Sequence, residues 1–209
     1  NKEDCQMCRD DAAGCWWITL NNLNPTKEYA FQYYVGTKGG ETIRLADAYC
    51  EKILDPEHDD DIPASAYPDN KTYPKGGKGI VSVFKIQRDN YAWTVSDFKM
   101  QHPKQPVIYE MHLRDFTPGR TINSALQKLD YLKDMGVDAI ELMPVQEFDG
   151  NDSWGYNPCF FFALDKAYGT PKMYKDFIDA CHRKGMAVIL DVVYNHATGN
   201  MPFARLYWD

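Results

Sequence analysis

Ala187-Val188-Ile189-Leu190-Asp191-Val192-Val193-Tyr194-Asn195-His196 runs from an apolar, β-branched stretch straight into aspartate, asparagine and histidine. Such a run predicts a parallel strand buried on both faces, with polar groups emerging at its carboxyl end. In parallel α/β folds that end is where ligands bind. Chemistry is therefore expected at Asp191, Asn195 and His196.

Upstream of this strand the pattern alternates. Residues 107–116 and 137–145 predict two earlier strands. Between them Thr121 can cap a helix with Ile122, Ala125, Leu126, Leu129, Leu132 and Met135 at helical spacing. Gly136 suits the position just past its end. Thr170-Pro171 starts a second helix, Met173, Phe177, Ile178 and Cys181 face inward, and Gly185 ends it. Strand, helix, strand, helix, strand implies two right-handed βαβ units. A doubly wound sheet and a (β/α)8 barrel both begin this way. No Gly-x-Gly-x-x-Gly follows the first strand, which argues against a dinucleotide fold.

Residues 15–100 read differently. Trp16 to Leu20, Tyr29 to Val35, Ile80 to Ile86 and Tyr91 to Val95 are rich in β-branched and aromatic residues and predict antiparallel strands. Residues 54–79 are rich in Pro, Asp, Gly and Lys and read as a long surface loop, in which His58-Asp59-Asp60-Asp61 is expected to be solvated. The strands suggest a small β-sandwich. Residues 99–106, twice interrupted by Pro, read as a linker, so a first domain is expected over 1–104 and a second over 105–209.

The chain has 209 residues and a net charge of −7, which speaks against non-specific nucleic-acid binding and attraction to anionic membranes. No apolar run reaches the length of a membrane span. Residues 1–14 are polar and lack the apolar core of a signal peptide. The chain opens on Asn rather than Met, which suggests trimming, and extracellular, periplasmic and cytoplasmic locations all stay open. Aromatic residues make up 14% of the chain, suited to packing a β-rich core or to stacking on sugar rings. Cys5-x-x-Cys8 with Cys15 offers three thiols for a metal or a disulfide, without a second pair or a nearby His. Cys159 and Cys181 stand in apolar contexts and read as core residues.

Four segments in order make the chain resemble the α-amylase superfamily, glycoside hydrolase family 13. Residues 107–116 look like its first barrel strand, and 129–145 like its first helix and second strand. Trp154-Gly155-Tyr156-Asn157-Pro158, followed by Tyr168-Gly169-Thr170, looks like the loop with the aromatic floor of the sugar site. Asp191 to His196 matches the first of the superfamily's short signatures. Tyr29 to Tyr33, Leu45-Ala46-Asp47-Ala48-Tyr49 and Leu54-Asp55-Pro56 are similar to the immunoglobulin-like β-sandwich that precedes the barrel in branching enzymes and pullulanases, except that Ala48 stands where that module usually has Pro. The resemblance thus implies such a sandwich followed by the first part of a (β/α)8 TIM barrel, about three strands and two helices, truncated.

The implied chemistry is retaining cleavage or transfer of α-glucosidic bonds in starch- or glycogen-type glucans. Asp191 would orient active-site groups rather than attack, and His196 would bond a sugar hydroxyl. Tyr156 would stack on the same sugar, and Trp154 would widen that platform or anchor its loop. Asn195 would either ligate Ca2+, for which an amide carbonyl is suited, or brace the loop. The bland readings of these residues are a turn or capping Asp, a loop His bonded to backbone, and an aromatic packed on the barrel rim. Glu110, His112 and Arg114, alternating on strand one, and Glu141 on strand two read as a structural hydrogen-bond network.

No segment resembles the family's nucleophile, acid or third-carboxylate signatures. The expected protein is therefore the N-terminal part of a glucan-active enzyme, inactive alone, with sheet edges left open for self-association. A non-catalytic amylase-like glucan-binding or scaffold protein is the second reading, and an unrelated α/β enzyme the third.

Overall fold

Turn chemistry organises the N-terminal half of the computed structural model, which describes residues 5–207. Strands β1 (Cys8–Asp10) and β2 (Cys15–Trp17) pair antiparallel. The Asp10 carboxylate accepts the Ala12 and Ala13 N–H groups at 3.0 Å and so folds the turn between them. β3 (Glu28–Phe31) and β4 (Tyr33–Gly36) divide the expected single strand 29–35. The break falls at Gln32, whose side-chain amide donates to Lys78 O at 2.8 Å and Ile80 O at 2.7 Å. β4 then pairs with β5 (Thr42–Leu45) in one antiparallel sheet. β3 joins β6 (Ile53–Leu54) and β7 (Val81–Lys85) in another, in the order β3-β7-β6. Leu54 of β6 with Val81 and Val83 of β7 form its buried cluster, and Phe84 stacks on Tyr29.

Residues 91–95 are not a strand. Thr94 instead turns toward the second half and donates its N–H at 3.0 Å and its hydroxyl at 2.8 Å to the buried Asp179 carboxylate. Nor is all of 54–79 a free loop. Asp55 accepts the Glu57 N–H at 2.9 Å, and a 3-10 turn forms over Asp59–Asp61.

The second half is built on three parallel strands in the order β12-β9-β8: β8 (Ile108–Met111), β9 (Ala139–Leu142) and β12 (Ala187–Leu190). Ile108 and Ala187 both align with Ala139, so Glu110, Glu141 and Ile189 lie side by side across the sheet. Strand one is shorter than expected. His112 begins a one-turn helix, α1 (Leu113–Phe116), which moves Arg114 off the strand face.

The spacing of apolar residues predicts one helix over 122–135; the structure divides it into α2 (Ile122–Leu126) and α3 (Leu129–Asp134). Thr121 caps α2 and forms a capping box with Ser124. The Ser124 hydroxyl also bonds back to Thr121 O at 2.7 Å, and Lys128 N–H closes a tight turn on Ala125 O at 2.9 Å. Leu129 and Leu132 remain fully buried past the break, so the apolar face is kept.

β10 (Gln146–Phe148) and β11 (Pro158–Leu164) form an antiparallel hairpin that the sequence pattern does not announce. α4 (Pro171–Arg183) follows, with Thr170 accepting the Met173 N–H as N-cap and Pro171 opening the helix. α5 (Pro202–Tyr207) closes the described chain. Between residues 113 and 207 five α-helical segments thus stand where two helices were expected.

The main core gathers Met111, Ile140 and Leu142 from the sheet with Ile122, Leu132 and Phe177 from the helices. A second cluster packs Ala46, Cys50 and Ile53 against Cys159, Phe160 and Ala163 of β11, joining the two halves. β12 is not buried on both faces as expected: Leu190 is 47% exposed. Among the described residues it has a hydrogen-bonded neighbour on one side only, so its outer flank meets solvent.

Candidate functional site

β12 hands its ladder on to Asp191, whose N–H donates to Leu142 O at 2.9 Å. The half-buried Asp191 carboxylate accepts the Tyr156 hydroxyl at 2.6 Å. The Tyr156 backbone carbonyl lies 2.6 Å from His196 Nε2. A carbonyl can only accept, so Nε2 carries the proton and donates. Tyr156 is thus gripped at its ring and at its backbone by two residues of the strand-three segment. Its phenol is pushed up to about 12, first by the Asp191 hydrogen bond, then by burial and by the charges of Asp191, Glu110 and Glu141.

Tyr156 belongs to loop 149–157 between β10 and β11, and that loop is tightly tied. Gly155 has φ +89°, and a Cβ there would stand 2.5 Å from Pro144 O, so only glycine fits. The Ser153 hydroxyl accepts Gly155 N–H at 3.0 Å and donates to Asn157 Oδ1. His112 Nε2 lies 3.1 Å from Ser153 O and 3.2 Å from the Tyr168 hydroxyl. Arg114 pairs with Asp115 and Asp152. Asn200 Nδ2 donates to Asp149 Oδ1 at 2.8 Å, and Asn151 Nδ2 to His58 O at 2.8 Å. His112 and Arg114 therefore do enter a polar network, but one directed at this loop and not along strand one.

Arg114, Asp152, Ser153, Trp154, Tyr156 and Asn157 line an open cleft of about 570 Å³. Trp154 is 64% exposed at its rim. A larger groove of about 920 Å³ separates β7 from the start of α4, but its charges largely pair with each other, as in Lys52–Glu28 and Arg88–Glu51. The smaller cleft is the one lined by Tyr156, which Asp191 and His196 hold.

The structure therefore brings Asp191 and His196 onto Tyr156, with Trp154 alongside, while Asn195 is exposed on the same segment. Among the described residues no three His, Cys, Asp or Glu side chains stand together as metal ligands. Asn195 stands exposed outside any such group. Cys5, Cys8 and Cys15 are free and exposed, and they do not stand together as a ligand set. No helix among the described residues is long and apolar enough to cross a membrane.

Sequence reasoning missed the hairpin that presents Tyr156, and with it Asn151 and Asn200. The apolar run Pro158–Leu164 was the available signal.

A sequence model of the α-amylase catalytic domain matches residues 115–205. The chain is 42% identical over 131 residues to malto-oligosyltrehalose trehalohydrolase from Arthrobacter ramosus, covering 63% of this chain and 22% of that protein. It is 35% identical over 196 residues to malto-oligosyltrehalose trehalohydrolase from Saccharolobus solfataricus, covering 94% of this chain and 30% of that protein. The crystal structure of GBS pullulanase SAP in complex with maltotetraose superposes with a TM-score of 0.70 at 26% identity, covering 96% of this chain and 29% of that one. The chain spans less than a third of the length of these relatives. With its parallel strands in sequential order and these likenesses extending through both halves, the chain belongs to the α-amylase family of glycoside hydrolases, family 13.

Proposed function

We propose that this chain supplies the first barrel strands of an enzyme that cleaves or transfers α-glucosidic bonds in starch- or glycogen-type glucans, with retention of configuration. The observation that carries this is the double grip on Tyr156, phenol to Asp191 and carbonyl to His196. A pyranose presents an apolar face of C–H groups. A ring already fixed at both ends can cover that face with little ordering cost. Trp154 extends the platform. Asp191 Oδ1 and His196 Nδ1 make no hydrogen bond among the described residues, which leaves each able to meet a sugar hydroxyl.

Asp191 acts by orientation. Retaining cleavage needs a nucleophilic carboxylate and an acid about 5–5.5 Å apart. Later barrel strands of a longer protein would bring both, so these 209 residues alone are inactive. The antiparallel sheets β3-β7-β6 and β4-β5 of the first half support an immunoglobulin-like sandwich over 1–104, with the barrel beginning at 105.

Titration with maltotetraose, followed by NMR, tests the reading. Shifts are expected at residues 154–157 and 191–196. Tyr156→Ala should weaken binding about tenfold or more, and His196→Ala less. Binding that survives both substitutions overturns the site, and release of reducing ends from starch by this chain overturns the inactivity.

A further inference from the structure

The loop that carries Tyr156 is held from a second direction, by the N-terminal half. Lys166, two residues past the end of β11, has a side chain only 2% exposed. Its Nζ lies 3.2 Å from Asp59 Oδ1 and also bonds Glu147 Oε1 of β10. Asp59 is itself oriented: Asn70 Nδ2 donates to its other oxygen at 3.3 Å, and its N–H donates to Asp55 O at 3.1 Å. His58, one residue earlier, has its ring on Asp55 at 2.9 Å and presents its carbonyl to Asn151 Nδ2 at 2.8 Å. The turn thus touches the hairpin twice, at its root through Lys166 and near its tip through Asn151.

We infer that the turn His58–Asp61 is a positioning device for the sugar platform, with Asp59 fixing the root of the β10–β11 hairpin and the His58 carbonyl fixing the loop that ends in Tyr156. The inference rests on the sugar-binding reading of Tyr156 for its consequence, but not for its geometry. Asp59 and His58 are positioning residues; neither lines the cleft. A one-ångström drift of Tyr156 would unseat its phenol from Asp191, because hydrogen bonds weaken steeply with distance and angle. The N-terminal half then tunes how well a glucan binds while contributing no group to the cleft.

Asp59→Ala is a clean probe because Lys166 keeps Glu147 as counter-charge, so no buried ion is stranded. Asn151→Ala is the second probe and leaves the lysine cluster untouched. Amide hydrogen exchange is measured in the 209-residue chain without sugar. Each substitution should speed exchange within loop 149–157 about tenfold, leave helix Pro171–Arg183 unchanged, and Asp59→Glu should restore protection. Maltotetraose binding, read by NMR, should weaken about threefold in both alanine variants and recover with Asp59→Glu. Unchanged exchange in the loop, or acceleration spread equally over the helix, overturns the inference, since the turn would then be mere glue between halves. A loosened loop together with no maltotetraose binding by the unaltered chain upholds the clamp and removes the sugar reading instead.

Discussion

The β10–β11 hairpin carries a polar cluster at each end, and the two are built on opposite principles. At the root, Lys166 is sealed from water between Glu147 and Asp59. Burial alone would lower its affinity for a proton, but Glu147, Asp59 and Asp165 outweigh that and hold it charged. At the tip, Tyr156, Asp191 and His196 are only partly covered, and each partner of Tyr156 keeps an unused polar atom. A closed cluster has no capacity left for a ligand, so its effect is position. An open one spends part of its capacity on geometry and leaves the rest for a substrate. Substitutions at the root should therefore act on stability and reach binding only through the loop's position, whereas substitutions at the tip act on binding directly.

The sharpest break of that contrast is Lys166→Met. It removes the cation paired with Glu147 and Asp59, and the chain should lose about 3–5 kcal/mol of stability in urea unfolding. The deficit should shrink as pH falls. Burial and the charge of Glu147 already push Asp165 well above the ordinary carboxylate range, so acid discharges the stranded groups early. A loss below about 1 kcal/mol would make the root no different from a surface ion pair.

Gly155→Ala lies between the two ends. Its Cβ would meet Pro144 O at 2.5 Å, and its φ of +89° strains any side chain. The cost should be about 1–3 kcal/mol, with maltotetraose binding reduced because Tyr156 is the next residue. Urea unfolding and NMR titration on the same variant separate the two effects. A stability loss with binding intact would show that the loop's path and the ring's placement are independent.

Local rules made much of this legible. Thr121, Gly136, Thr170-Pro171 and Gly185 announce helix ends because caps and left-handed residues act within one turn of chain. Asp191 was legible because a carboxylate closing an apolar run needs a partner, and Tyr156 is that partner. The hairpin was not, because what defines it is packing of Cys159, Phe160 and Ala163 on residues of the other half. Asp59 was misread for a related reason. A run of three aspartates looks solvated, yet its first member faces a lysine far along the chain that no local pattern reveals. The exposed flank of β12 escaped for the opposite reason: a run of Val, Ile and Leu reads the same whether one neighbour is present or two.

The smallest expected effect sharpens the comparison at the tip. The Tyr156 phenol, ordinarily near 10.0, sits at about 12 because its proton is held by Asp191. A group whose folded value lies above its unfolded one stabilises the fold fully below the unfolded value, and that support fades as pH rises through the folded value. The window is therefore pH 10 to about 12, set by Tyr156. Asp191→Asn keeps an acceptor oxygen but removes the charge, so the phenol should move down toward its ordinary value. The chain has fourteen tyrosines, so the titration is taken as the phenolate absorbance of each protein minus that of its Tyr156→Phe counterpart. Tyr33 and Tyr67, also near 12 but raised first by burial, should not move. An unmoved Tyr156 titration would mean that the ring is not tethered to Asp191, and the tip would then be no more than an aromatic packed on a loop.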